Sequence, residues 1–477
     1  MKKIIFLFIV LIGISTSCTK NFDEYNEDTK NPTDVPGNML FANAQKALAD
    51  QVASTNVNLN VWKLFVQYWT ETTYTDEANY DIINRTIADL TFRTYYRDVL
   101  ADLVDAREKI MAEVPQTDEE TIAQQNRLQI TELIWAYCFN RLVDTFGDVP
   151  YTEALDIDDI SPAYTPAPDI YQDIINRTIA AVDALDENGG SFGEFDLYFN
   201  GDVAMWKKFG NSLLVKMGIT LSLVNEDLAK STVLAGYNGD GGLFEFGERC
   251  ELHYPGGAMS NPLYLDLVAS GRDDFVPANT IVDLMNELED PRREAYFTLY
   301  NDSIYLGGIY GESNAYANYS HIADRIKEQT FPMPLLTYTE VEFYLAEAAE
   351  RGYDVGDAAT HYANAITASF DFWQVDGADA YIEANPYNGI ESIGIQAYIA
   401  FYIRGLVAYT EWRRLDVPEM NLPPSPAESA DGAVPRRFTY PVNEQTLNRE
   451  SRQAAVDRQW PADGDRLSSR IFWDVEN

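Results

Sequence analysis

The sequence predicts a mainly α-helical protein with loop-rich stretches and minor β segments. Two observations carry this. Apolar residues recur at helical spacing over several long stretches, and few segments show the strict alternation of a half-buried strand. Glycine, proline and asparagine punctuate the helical stretches and mark where they stop.

The first helical pattern in the body runs from Leu128 to Thr145, and Gly147 and Pro150 stop it. Asp169 to Leu185 is the second, with Ile170, Ile174, Ile175, Ile179 and Val182 on one face. Asp202 is a good cap for a third, extending to about Val224. Thr337 to Arg351 and Asp357 to Phe372 read as a helix pair joined around Gly352, and Ile395 to Leu415 as one further helix. Between these lie Gly236 to Gly257, Tyr300 to Tyr319 and the Pro/Ser/Ala stretch Asn421 to Pro435, all loop-like. The octapeptide Asp81 to Ala88 recurs identically at Asp173 to Ala180, which reads as convergence on two amphipathic helix starts. No regular repeat of solenoid length is evident.

The N-terminus is different in kind. Lys2 and Lys3 precede an uncharged run from Ile4 to Ile14, too short to span a bilayer but suited to a signal-peptide core. Ser15, Thr16 and Ser17 then lead to Cys18, the arrangement a lipoprotein signal peptidase accepts. Residues 1–17 are therefore expected to be a lipoprotein signal peptide. Cys18 is expected to carry a diacylglyceryl group and an amide-linked acyl chain, and several chains together anchor a protein stably. Residues 18–39 are polar and read as a flexible tether, and 40–477 as one binding domain.

The chain carries 75 acidic and 35 basic residues, a formal charge of −40. Phosphate backbones need a basic face, so nucleic acid is excluded as a partner. Beyond Cys18 only Cys138 and Cys250 remain; Cys138 sits in an apolar helical stretch and reads as a buried thiol. No nucleophile elbow, H-E-x-x-H, C-x-x-C or phosphate loop occurs, and His253, His321 and His361 are far apart in the chain. No catalytic residue and no cofactor is expected. Asp156, Asp158 and Asp159, or Asp186 with Asn188, are the places for a calcium ion, though neither follows the EF-hand order.

The chemistry-bearing signal is aromatic. Thirty tyrosines and eight tryptophans exceed ordinary packing needs. Trp69, Tyr74 and Tyr80 lie among Thr, Glu, Asp and Asn, while Tyr305, Tyr310, Tyr316 and Tyr319 lie in a Gly/Asn-rich stretch. Exposed rings beside amides and carboxylates suit sugars, whose C–H faces stack while hydroxyls find donors and acceptors. One ring covering about 60 Å² contributes roughly 1.5 kcal/mol. Two or three such rings with a few hydrogen bonds give roughly millimolar to micromolar affinity. These seven residues are the expected substrate-binding set.

Several local motifs, in order, resemble the SusD/RagB family, specifically its second SusD-like branch. They are Cys18 with Asn21-Phe22-Asp23 and Asn31-Pro32-Thr33, then Leu142 to Tyr151, Trp206 to Leu213 and Asp290-Pro291-Arg292-Arg293. Tyr338 to Ala348, Glu411 to Pro418 and Arg436 to Pro441 complete the series. The acidic residues behind Cys18 resemble the surface-export signals of Bacteroidetes lipoproteins. The resemblance implies tetratricopeptide-like helix pairs, an outward-facing anchor in the outer membrane, and glycan binding without catalysis. It also implies a SusC-like TonB-dependent transporter as partner. A peptide- or glycopeptide-binding lipoprotein of the same type, and a surface glycoside hydrolase, are the alternatives. Within these motifs, Glu340, Glu342 and Glu347 are expected to form buried ion pairs with Arg413, Arg414 and Arg436.

Overall fold

The computed structural model describes residues 35–476. The expected signal peptide, Cys18 and the expected tether up to residue 34 lie outside these. The principal helices are α1 (Gly37–Ala53), α2 (Ala101–Ala112), α3 (Asp118–Phe146), α4 (Ala167–Ala184), α5 (Val203–Thr220) and α6 (Glu226–Tyr237). They continue as α7 (Asn279–Glu287), α8 (Tyr338–Glu350), α9 (Ala358–Trp373), α10 (Gly389–Ala400), α11 (Gly405–Leu415) and α12 (Arg449–Gln459). Neighbours in sequence pack on one another: α1 with α2, α3 with α4, α4 with α5, α5 with α6. Helix α5 then meets α8, which packs against α9 and α10. The mainly helical expectation holds.

Short strands tie the loops down. They are β1 (Trp69–Glu71), β2 (Val149–Pro150), β3 (Tyr164–Thr165), β4 (Arg249–Leu252), β5 (Phe275–Pro277) and β6 (Met333–Thr337). They form three antiparallel pairs, β1–β5, β2–β3 and β4–β6. In the first, Trp69 faces Pro277 and Glu71 faces Phe275.

The caps explain several helix boundaries. Side chains of Asp202, Thr337 and Asp357 accept from the N–H groups of Met205, Glu340 and Thr360. Helix α3 begins ten residues before the expected Leu128, because Thr117 caps it by accepting from Glu120 N–H. Its early turns are polar, yet Gln124 is buried and donates to the carbonyls of Ile110 and Glu113. That polar anchoring is invisible to an apolar periodicity. Helix α1 takes in Gly37 to Met39, residues expected in the tether. A Cβ on Gly37 would lie 2.9 Å from the Ala106 carbonyl oxygen, so close packing on α2 draws this segment into the body.

Two expectations fail here. The single helix Ile395–Leu415 is two helices, α10 and α11, broken across residues 401–404. Ile403 is left-handed (φ 73°), and Gly405 packs so tightly that a Cβ would lie 2.6 Å from the Trp62 carbonyl carbon. The repeated octapeptide is not two helix starts. Asp173 to Ala180 lies inside α4, whereas Asp81 to Thr86 is irregular, with Thr86 left-handed (φ 52°) before a short helix at Ile87–Arg93.

The buried charges divide differently from the expected pairing. Glu347 does take Arg414, whose guanidinium also holds Glu411 Oε2 at 2.6 Å. Glu340, however, pairs with Lys216 (2.9 Å) and Arg404 (2.6 Å), and Glu342 meets His361 (2.8 Å). Arg413 pairs with none of the glutamates; it donates to the carbonyls of Asp144 and Arg436, each at 2.7 Å. Arg436 pairs with Asp416 and Asp474. Cys138 and Cys250 are free and buried, and burial pushes both thiols up. Replacing Arg414 by Leu leaves Glu411 and Glu347 buried without their shared cation, Glu347 keeping only Arg351. Urea unfolding of this variant is expected to show a loss of roughly 3–5 kcal/mol.

Candidate functional site

The fold brings the two aromatic stretches together. After β1 the chain turns outward, and Thr72 donates through its N–H to the Asp274 carbonyl (2.9 Å) and through Oγ1 to the Asp273 carbonyl (2.6 Å). From the other stretch, Ser313 Oγ donates to the Thr72 carbonyl (2.8 Å), and Asn314 Nδ2 to the Glu71 carbonyl (3.1 Å). Asn79 Nδ2 returns a bond to the Gly311 carbonyl (2.8 Å). Gly311 is required there: φ is 76°, and a Cβ would lie 2.4 Å from Pro423 Cβ. The polar residues of both stretches thus bond the loops to each other.

The seven candidate rings divide. Trp69, Tyr80 and Tyr310 are 1%, 0% and 2% exposed, which corrects their reading as exposed loop rings. Trp69 Nε1 donates to the Tyr402 hydroxyl (2.8 Å), and Tyr310 Oη donates to the Leu64 carbonyl (2.9 Å). Tyr80 packs edge-on against Phe65 with centroids 5.4 Å apart. Their neighbours in sequence are polar because those neighbours bond the turns, while the rings themselves face the core. Tyr74 is 62% exposed. Tyr305, Tyr316 and Tyr319 are half-buried. Tyr305 packs against the Arg293 guanidinium, 5.4 Å from its ring centroid. Tyr316 stacks on His321 with centroids 3.8 Å apart.

Tyr74 and Tyr316 flank one turn, residues 272–274. Burial and then the Asp273 carboxylate push the Tyr316 phenol up, and Tyr74 is among the groups acting on Arg272, after Asp274. Sequence reasoning missed this turn and His321, although Ser270-Gly271 followed by Arg272-Asp273-Asp274 is a turn signal. Below Tyr74 lies a niche of about 40 Å³, lined by Glu71, Glu77, Arg85, Arg272 and Asp274 among others. Asp76, Asn79, Asp81, Asn84, Glu428 and Arg466 line an open cleft of about 570 Å³ that borders the same loop. An exposed ring therefore stands near carboxylates, amides and guanidinium groups.

Among the described residues no group of three or more His, Cys, Asp or Glu could hold a metal ion. Asp156 Oδ1 accepts from Asp158 N–H (2.9 Å), Asp159 Oδ1 from Ser161 N–H (3.0 Å) and Asp186 Oδ1 from Asn188 N–H (2.9 Å), so these carboxylates close turns.

The niche has an electrostatic consequence. Glu71 Oε2 accepts from Ala78 N–H (2.9 Å), and Glu77 is ion-paired with Arg85. Burial, then the charge of Glu77, pushes Glu71 from its ordinary 4.5 to about 9, and burial raises Glu77 as well. The folded chain keeps a proton on Glu71 that the unfolded chain releases, so this group's stabilisation is full below 4.5 and fades as pH rises to about 9. Glu71→Gln has no such proton. Its urea midpoint should improve relative to wild type between about pH 5 and about pH 8.5; a gap independent of pH would contradict the raised Glu71.

Among the described residues no helix is long and apolar enough to cross a membrane. A family described as "starch-binding associating with outer membrane", the second SusD-like family, matches residues 29–441. No protein of curated function matches the chain. Among solved structures, a chitin-binding protein is similar at 24% identity with a TM-score of 0.81, over 92% of this chain and 100% of that one. A SusD homologue from Bacteroides uniformis is similar at 22% identity and TM-score 0.78, over 92% of this chain and 99% of that one. A chitin-binding SusD homologue from Flavobacterium johnsoniae is similar at 19% identity and TM-score 0.79, with 92% and 99% covered. With this family match spanning most of its length and the same helical fold in these structures, the chain belongs to the SusD-like family.

Proposed function

We propose that this protein is a non-catalytic, lipid-anchored lipoprotein of the outer membrane that captures oligosaccharides and passes them to a SusC-like TonB-dependent transporter. The observation that carries the binding reading is Tyr74, 62% exposed on a turn fixed by hydrogen bonds and bordered by acidic and amide side chains. Sugar rings bind such a surface by stacking and by exchanging hydroxyl hydrogen bonds with fixed groups. The family description and the chitin-binding names of two relatives support the same ligand class. Anchoring through Cys18 rests on the signal-peptide pattern of residues 1–18, and partnership with a transporter rests on family membership. Tyr74 and Tyr316 are the ring contacts of this reading; Tyr305 and Tyr319, half-buried in the same stretch as Tyr316, are given no contact in it.

A glycan array followed by calorimetry on a form lacking residues 1–18 tests the proposal. Expected is saturable binding of an oligosaccharide in the millimolar to micromolar range; binding of peptides and of no glycan would overturn it, and release of a shortened product would make the protein an enzyme. Two substitutions separate surface from core. Tyr74→Ala should weaken binding about tenfold, the equivalent of roughly 60 Å² of lost stacking, and leave the melting temperature unchanged. Trp69→Ala should instead cost about 3–5 kcal/mol of stability, because it opens a cavity under β1.

A further inference from the structure

The turn between α8 and α9 closes over a histidine. His361 lies in the first turn of α9, and 13% of its side chain is exposed. Its Nδ1 is 2.8 Å from Glu342 Oε2 of α8, and its Nε2 is 2.8 Å from the Val355 carbonyl oxygen in the turn. Gly356 makes room for the ring: its φ is 112°, and a Cβ there would lie 3.0 Å from Nε2. One side chain therefore joins both helices and the segment that connects them.

Both ring nitrogens face acceptors. A neutral imidazole has one N–H and can serve only one of them; an imidazolium has two and serves both. The groups around the ring favour the cation. Glu342 is 7% exposed, and among the described residues His361 is its only cationic partner. The other groups at Glu342 are neutral: Asn364 Nδ2 donates to Oε2 (3.2 Å), and burial and then Glu342 push the Tyr338 phenol of α8 up. Asp357, the cap of α9, adds a second negative charge near the ring, and the turn brings the uncharged Val355 carbonyl and Gly356. Burial of the ring opposes the proton, but Glu342, the Val355 carbonyl and Asp357 outweigh it and hold His361 above its ordinary 6.5.

We propose that His361 is a pH-sensitive clip, closed as an imidazolium and opened when one proton leaves to solvent. The carboxylate is the stronger acceptor, so the neutral ring keeps its N–H on Nδ1, toward Glu342. Nε2 then turns a lone pair to the Val355 carbonyl, and the turn loses its bond to the ring. Folded His361 holds its proton more tightly than the unfolded chain does. The clip's stabilisation is therefore complete below 6.5 and fades as pH rises through the folded-state titration. The clip belongs to the helical frame and does not depend on the oligosaccharide reading.

The chain has three histidines, so imidazole NMR on the form lacking residues 1–18 can follow each one, with His253→Asn and His321→Asn assigning the other two. Expected is a titration midpoint for His361 above 6.5. Glu342→Gln keeps the shape and removes the charge, and should lower that midpoint. Urea unfolding of His361→Gln gives a second measure. Wild type should lead the variant most at about pH 6, and the lead should shrink as pH rises through the His361 midpoint. Glu71 titrates in both proteins and cancels from this difference. A His361 midpoint at or below 6.5, or a lead that stays constant with pH, rules the clip out. If His361→Gln does not fold, the wild-type NMR titration still decides.

Discussion

Arg414 is completely withdrawn from water, between Glu347 of α8 and Glu411 of its own helix α11. Further donor contacts reach the Ile219 carbonyl near the end of α5 (3.0 Å) and the Ser222 hydroxyl just beyond it (3.3 Å). A buried guanidinium is costly unless its donors are met, so these three helices are held at the spacing this one group demands. The second buried set works in the same place: Glu340 of α8 receives Lys216 of α5 and Arg404 at the head of α11. Removing one cation leaves Glu340 the other and the Tyr344 hydroxyl; removing both would leave a carboxylate in a medium that cannot solvate it. The helical body is therefore specified by charge as well as by apolar packing.

That frame decides how the surface loops are presented. Tyr68 Oη and Tyr398 Oη exchange bonds with backbone carbonyls across the core, joining the segment before β1 to α10. Trp69 adds its bond to Tyr402 in the break after α10. The chain leaving β1 therefore starts from a fixed point, and the bonds from Ser313, Asn314 and Asn79 hold the turn that carries Tyr74. In the proposed binding role, a turn held in this way would lose little backbone freedom when a ligand stacks on Tyr74.

Much of the helical body was legible in the sequence. Caps such as Asp202, Thr337 and Asp357 act within four residues, and amphipathic faces such as that of α4 repeat every turn. The resemblance carried by local motifs was legible for the same reason, and so was the location of aromatic residues in two loop stretches. Whether those rings point inward or outward was not. Trp69 and Tyr74 lie five residues apart in similar polar company; one is buried in β1, paired with β5, and the other stands in solvent. The partners that decide this, Tyr402 and the 272–274 turn, are hundreds of residues away.

The sequence by itself determined the helix-rich class, the signal-peptide pattern ending at Cys18, the strong negative charge and the segments from which a site would be drawn. These follow from composition and from short-range periodicity, which the chain carries at every position. Tertiary structure decided the rest. Asp-Ile-Ile-Asn-Arg-Thr-Ile-Ala is helix inside α4, where Arg177 pairs with Glu132 of α3, and turn before Ile87, where Arg85 pairs with the buried Glu77. The intrinsic preference of eight identical residues is the same in both places. The difference lies in which carboxylate waits for the arginine and which apolar surface waits for the isoleucines, and both are supplied by distant parts of the chain.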